Sequence, residues 1–545
     1  MLLNRLFVSI LLLSAITVYG RQQPIPVPAA LRTAIERARP ASVRCYGFDT
    51  VQQQQNSAPF SAVVVTADGY LLTVAHTTRP QQTYKVHFPD GREALAVGLG
   101  RIARDNVSNL PDVAMMKLLA PGPWPFAPMG HTAAMRSGDP CLMIAYPETL
   151  AQPFPTVRFG VVANPRMESE FLATTAVMEP GDSGGPLFDL QGRVIALNSR
   201  CDTSEDRNFH TPVDLYRQYW TALTKAETYT DFPAADKVKV PTAAAVKYAP
   251  VPAQVKLANA AVVSLQSEVA GKLQSIAGTA ISLDGRGTYI LSKSSEVGAA
   301  PVVVTNQERL LAKVVSHSRE HDLVLLWVDK KLTGALSKTD TSYAGVGPAP
   351  GSFVYAALPG GRQKRGVVGC APIALPVKYS SGFFGAGARW MDGAATLANI
   401  HPNSPLVQAR IQLQDKILRF GGQPIHQPAD YGALLAQYFP NDTLVLDVKR
   451  GDSLFQQTIV MGAWPARTPT HPAELFKGGA SVRRDGFASV WTIDARVQAA
   501  ECGAPVYDAA GKCCGIVISR FSRTAALVMP MAVINGWMAP LLRKE

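Results

Sequence analysis

The chain has no CxxC pair and no His/Cys cluster at metal-ligand spacing, so no zinc site is expected and no metal or other cofactor is implied. Charged residues are only 17% of the 545. The net charge of +12 comes from scattered positions such as Lys225, Lys237, Lys239, Lys247, Arg362, Lys364, Arg365, Arg483 and Arg484. No basic stripe is interleaved with aromatics, so nucleic acid is not expected as a partner, whereas a diffuse positive surface suits anionic neighbours such as the cell envelope. There is no heptad run and no low-complexity tract beyond Gln52–Gln55. Beyond the N-terminal segment, no stretch is long and apolar enough to span a bilayer.

What is present points to a β-rich protein of several domains. The length exceeds what one core sustains, and 41 prolines and 43 glycines favour turns over long helices. Residues 1–20 have a charged start at Arg5, an apolar run from Leu6 to Tyr19 and small residues at Val18 and Gly20. They read as a secretory signal peptide, which places the mature chain in the periplasm or outside the cell without an integral membrane segment. Seven cysteines (Cys45, Cys141, Cys201, Cys370, Cys502, Cys513 and Cys514) leave at least one thiol without an intramolecular partner.

An internal repeat sets the architecture. Phe60–His76 reads as strand, Asp68-Gly69 turn, strand, and is echoed by Ala277–Ser295. Asp112–Leu118 is echoed by Asp322–Val328, Gly138–Pro147 by Gly351–Pro359, Arg158–Val162 by Lys364–Val368, and His210–Val213 by Val528–Met531. Gly-Asp-Ser-Gly-Gly-Pro at Gly181–Pro186 has its counterpart in Glu501-Cys502-Gly503-Ala504-Pro505. Twenty residues separate Val162 from Ser183, but more than a hundred separate Val368 from Cys502. The surplus contains Leu397–Leu406, Leu413–Ile425, a helix-like Tyr431–Tyr438 and the strand Leu444–Arg450, which together read as an inserted domain. The expected organisation is a first unit at 30–222, a linker at 223–255 held extended by Pro233, Pro241, Pro250 and Pro252, a second unit at 256–378 and 465–545, and the insertion at 379–464.

Ser183 is a candidate nucleophile that needs a base and a group to orient that base. His76 ends a strand after small residues, and Asp112 begins another; Asp105 competes with it but lacks a following strand. Gly181 and Gly184 permit the tight turn that would aim the amides of Gly181 and Ser183 at one oxyanion. His87, His131 and His210 read as surface or structural residues.

With Thr73-Val74-Ala75-His76, Asp112–Leu118 and Gly181–Pro186 in this order, residues 60–220 resemble a trypsin-like serine protease of the HtrA (Deg) type. The inserted segment resembles a PDZ domain, with Phe383-Phe384-Gly385-Ala386 as its carboxylate-binding loop and Asp415–Leu418 and Gly421–Ile425 as the strand and turn that follow. The resemblance implies a mostly β fold: two chymotrypsin-like double β-barrel domains plus an inserted PDZ-like domain. It implies the triad His76, Asp112 and Ser183, with the amides of Gly181 and Ser183 as oxyanion hole. It also implies that Val177, six residues before the nucleophile, lies at the floor of the primary pocket and favours small or aliphatic side chains. The implied partners are unfolded proteins or peptides, with a homo-oligomer left open.

Three features depart from the family pattern. Asp182 precedes the nucleophile where HtrA proteases have Asn, and a neutralising partner is not evident. The PDZ-like segment interrupts the second unit instead of following the protease. In that unit Ser295 stands for His76 and Cys502 for Ser183, so only the acid, Asp322, survives. The expected function is an exported endopeptidase whose second half binds substrate or regulates. The rival is a proteolytically latent chaperone or envelope scaffold binding peptides through the PDZ-like groove. A weaker third reading makes Cys502, Cys513 and Cys514 a redox sensor.

Overall fold

The computed structural model describes residues 24–103, 111–167, 170–238, 246–257, 261–283, 285–305, 308–343, 345–466 and 468–542. The expected signal peptide, Asp105 and part of the linker lie outside them.

In the first unit, Ser42–Asp49, Phe60–Val64, Tyr70–Thr73, Val113–Leu118, Glu93–Ile102 and Thr83–His87 pair in that order, and the last pairs back to the first. The period of two in these strands supplies two cores. Ala62, Val64, Leu71 and Met116 pack inside the ring. Their neighbours Val63, Leu72 and Met115 face the second ring and meet Leu142, Ile144 and Leu197. Gly69, at φ +93°, makes the turn the Asp-Gly pair predicts. The second ring is a closed barrel of Thr156–Asn164, Leu172–Thr174, Asn208–Pro212, Val194–Cys201, Pro186–Phe188 and Pro140–Ala145.

The second unit repeats both strand orders. Val262–Val269, Lys272–Ile281, Thr288–Lys293 and Leu323–Val328 pair in sequence. Lys313–Ser318 flanks the last of these, Val302–Val304 flanks the first, and Arg309–Leu311 pairs with the outer edge of Val302–Val304, with Ala312 alone between it and Lys313–Ser318. The second sheet runs Arg362–Val367, Phe353–Leu358, Pro505–Asp508, Cys513–Arg520, Ala526–Pro530 and Phe487–Ile493, and the bridge Val368 to Ile493 joins its ends.

Between Ile373–Leu375 and Phe487–Ile493 the chain leaves this barrel to form a separate sheet of Ala386–Met391, Ala394–Ile400, Lys416–Phe420, Thr443–Arg450 and Ser453–Val460. The sheet has its own core of Phe384, Leu397, Ile417, Phe420, Leu444, Leu446 and Ile459. Its helix is Pro428–Leu435, three residues earlier than the apolar pattern suggests, because Gln427 and Asp430 form a capping box that fixes the start. The inter-unit segment is tied down at both ends: Thr228–Tyr229 pairs with Arg101–Ile102, and Tyr248–Ala249 pairs with Ile25–Pro26. All seven cysteines are free thiols.

Candidate active site

His76 sits in a 3-10 turn, Ala75–Thr77, at the end of Tyr70–Thr73, and Asp112 immediately precedes Val113–Leu118. Strand pairing of Thr73 with Ala114 brings them together. Asp112 Oδ1 accepts the His76 amide at 3.0 Å, and Oδ2 lies 2.7 Å from His76 Nδ1. The carboxylate therefore selects the tautomer protonated at Nδ1 and leaves Nε2 as the base. Ser199 Oγ donates to the same Oδ2 at 2.7 Å, and Thr211 Oγ1 donates to the Asp112 carbonyl at 3.1 Å. Burial pulls the His76 pKa down, but the hydrogen bond and charge of Asp112 outweigh it and hold it above the usual 6.5. Burial likewise raises Asp112, and its bonds to His76 and Ser199 turn the balance, keeping the carboxyl below 3.8.

Ser183 lies on a turn where only glycine fits on either side. Gly181 has φ +93°, and a Cβ there would stand 2.5 Å from Tyr146 O and Glu148 N. Gly184 has φ +76°, and its Cβ would stand 2.0 Å from Thr73 Oγ1, on the strand that leads to His76. The carbonyls of the turn point inward: Gly181 O accepts from Ser61 Oγ at 2.8 Å and Ser183 O from the Ser61 amide at 2.9 Å. The amides of Gly181 and Ser183 have no acceptor among the described residues. That leaves two adjacent donors for an oxyanion. No hydrogen bond joins Ser183 Oγ to His76 among the described contacts. In ligand-free sites this bond is often long and tightens when substrate binds.

Asp182 has its counter-charge. Arg158, 2% exposed, forks onto both carboxylate oxygens, and the Glu179 amide adds a 2.9 Å bond. Arg158 opens the Arg158–Val162 repeat segment, so the sequence displays the residue but not its role. Val177 is buried; its carbonyl accepts from Arg158 at 2.9 Å. It lines a cavity of about 370 Å³ with Thr175, Asp494 and Arg496 at the junction of the two units. His210 is fully buried between Thr174 and Asn198, which drives its pKa down to about 3 and makes it a neutral structural residue. His131 bonds Asp214, and His87 Nε2 lies 3.1 Å from Tyr46 Oη.

The second unit keeps part of this geometry. Asp322 accepts the Ser295 amide at 2.8 Å and the Ser295 hydroxyl at 3.0 Å, in the places of the His76 amide and ring. Gly503 packs on Ala277 O and Ser292 Oγ, much as Gly184 packs on Ser61 O and Thr73 Oγ1. The site is otherwise filled. Lys293, at the position of Val74 and fully buried, pairs with Asp322 and donates to Arg483 O at 2.8 Å. Cys502 is buried beside Ser481, and burial raises its thiol pKa. His317 and His321 bond Ser294 and Ser318, not Cys502. A buried, protonated thiol without a base is a poor nucleophile and a poor redox sensor.

In the inserted sheet, Ala386–Met391 is an edge strand beside helix Pro428–Leu435, and Tyr431 Oη donates to Ala386 O at 3.0 Å. Gly385 has φ +71°. Phe384 is in the core, and Phe383 packs on Trp464 and His401. The two rings are thus packing residues, and the Phe383 backbone is paired with Gly462, which leaves the amides of Phe384 and Gly385 without an acceptor among the described residues.

Residues 60–197 match the trypsin-like peptidase domain and residues 382–459 the PDZ domain. The serine endoprotease DegS of Escherichia coli (strain K12) is 31% identical over 185 residues, 32% of this chain and 49% of that protein. Mitochondrial serine protease HTRA2 of Bos taurus is 29% identical over 171 residues, 29% of this chain and 35% of the relative. The chain thus spans half or less of the length of these relatives. The solved serine endoprotease from Yersinia pestis aligns over 79% of this chain and 97% of its own, at 16% identity and a TM-score of 0.31.

Proposed function

Starting from an HtrA-type, trypsin-like serine protease domain joined in one chain to a PDZ domain, we propose that the protein is an exported endopeptidase that cleaves unfolded or damaged proteins. Ser183 Oγ attacks the scissile carbonyl while His76 Nε2 takes its proton, later returning it to the leaving amine. Asp112 fixes the imidazole, and the amides of Gly181 and Ser183 hold the tetrahedral oxyanion. The observation that carries this reading is the His76–Asp112–Ser199 arrangement facing a nucleophile turn with two unused amides. The paired Asp182 supports it further, because the charge beside the nucleophile is neutralised by Arg158. The apolar Val177 favours small or aliphatic side chains at the cleaved position; a strong preference for Arg or Lys in a peptide library would contradict this.

The second unit and the PDZ domain are assigned to substrate binding or regulation, with the edge strand Ala386–Met391 adding a peptide strand. One observation favours the rival, a latent peptide-binding chaperone: Ser183 and His76 are not hydrogen-bonded in the free protein. Hydrolysis of unfolded casein by the mature wild type and by Ser183→Ala separates the two. Cleavage lost only in the variant is expected; cleavage by neither, with peptide binding kept, would establish the chaperone.

A further inference from the structure

The face of the second unit that meets the first carries three arginines directed at a single loop. Arg523 donates to the carbonyls of Thr203 and Ser204 at 3.3 and 2.6 Å. Arg520 donates to the Glu205 carboxylate at 2.8 Å. Arg496 donates to the carbonyls of Thr175 and Glu205 at 3.1 Å each and pairs with Asp206. Arg520 and Arg523 are each 1% exposed. The loop they hold, residues 203–206, joins Val194–Cys201 to Asn208–Pro212.

Both flanks of that loop reach the reacting groups. Ser199 bonds the triad acid, Asn198 O accepts the Gly184 amide at 2.7 Å, and Asn208 Oδ1 accepts the Met178 amide at 3.0 Å. Two more contacts come from the second unit and from the root of its insertion. The Thr524 amide meets the buried Glu179 carboxylate at 3.4 Å, two residues before Gly181. Tyr379 Oη donates to Thr149 O at 3.3 Å, beside Glu148, whose amide holds Pro180 O at 2.9 Å. The loop beside the pocket, the nucleophile loop and the segment behind the oxyanion turn are therefore all touched by one neighbour. Adhesion alone does not explain this array. Arg520 Nε and Nη1 and Arg523 Nε have no acceptor among the described residues, a desolvation cost an apolar interface would avoid.

We propose that the second unit is a built-in brace for the catalytic loops, with Arg496, Arg520 and Arg523 as positioning residues for the substrate pocket and oxyanion turn. This rests on the protease reading above. In the full chain, Arg496→Ala, Arg520→Met and Arg523→Met would be compared with the wild type for kcat and KM on a peptide, for the rate at which a fluorophosphonate labels Ser183, and for Tm. A displaced pocket loop is expected to lower kcat/KM and the labelling rate by about ten- to a hundredfold, with Tm little changed in the partly exposed Arg496→Ala and part of the rate recovered in Arg523→Lys. Lys330→Ala, which removes a surface ion pair with Glu308 within the second unit, is expected to keep wild-type kinetics. Should Arg523→Met lose its fold, Arg496→Ala at the solvent rim decides. Wild-type kcat/KM and labelling in Arg496→Ala and in the folded buried variants overturn the brace and leave the protease intact. A wild type that neither labels nor cleaves overturns the protease reading itself, and is seen before any variant is made.

Discussion

Asp112 and Asp322 occupy the same place in two copies of one fold and do opposite work. Each begins a strand and accepts the amide of the residue at the end of the neighbouring hairpin, His76 in one unit and Ser295 in the other. In the first unit the remaining lone pairs serve an imidazole that is half exposed and can reach a substrate. In the second they serve the buried ammonium of Lys293, with the Arg483 guanidinium 3.9 Å away. The carboxylate has passed from orienting a base to neutralising a core cation.

The largest effects that test this contrast come from the same substitution at both positions. Asp112→Asn is expected to leave folding nearly unchanged and to lower kcat by about 10⁴-fold, since the amide no longer holds the Nδ1–H tautomer. Equal loss of kcat and of Tm would contradict a purely orienting role. Asp322→Asn leaves the Lys293 charge buried without its counter-charge and is expected to cost about 3–5 kcal/mol of stability. Chemical denaturation reads this, and an unchanged midpoint would sink the structural assignment. Replacing Lys293 and Asp322 together by Met and Leu removes both charges and is expected to return most of that loss.

A third carboxylate, Asp494, marks the boundary between the units. It accepts the amides of Phe159 from the first unit at 2.8 Å and Val367 from the second at 2.6 Å. Burial outweighs these bonds and raises its pKa from 3.8 to about 6. A raised carboxyl favours the folded, docked form below about pH 4, and that contribution is lost as pH rises to about 6. A shift of this size corresponds to about 3 kcal/mol. In Asp494→Asn, the fall in Tm between pH 4 and pH 6.5 is expected to shrink relative to the wild type. An identical pH dependence in the two proteins would remove Asp494 as the cause.

Much of this was legible in the residues. The repeated Asp-Gly hairpin, the strand-initiating aspartates and the Ser183-Gly184 and Cys502-Gly503 turns are local signals, and the first two bring His76 against Asp112 and Ser295 against Asp322. What was not legible depends on pairing across the fold. Arg158 reads as one more basic residue in a strand, and only the barrel closure that brings it against Val177 and Asp182 gives it a role. Ser199 lies sixteen residues after the nucleophile and has no motif of its own. Lys293 stands two residues before Ser295 in a strand that reads as buried, and a lysine in such a strand is the one cue that its carboxylate partner is inside. The arginines that hold the 203–206 loop are 290 or more residues from their partners in it, beyond any periodic signal.

The smallest expected effect sharpens the comparison through protons. Catalysis needs His76 neutral, so kcat/KM should fall as pH drops through the His76 pKa, which the Asp112 bond and charge hold above 6.5 against the opposing pull of burial. In Asp112→Asn only burial remains, so the ascending limb of the residual activity is expected below pH 6.5. Ser199→Ala removes a donor that shares Oδ2 with the ring, leaves more of the carboxylate charge to the imidazole and is expected to move the limb upward. Position 295 carries no titrating group, and the Cys502 thiol is buried and protonated, so Cys502→Ala should give a profile superimposable on the wild type. A limb that moves in Cys502→Ala would mean that the second unit still takes part in the chemistry and that the division of labour between Asp112 and Asp322 is incomplete.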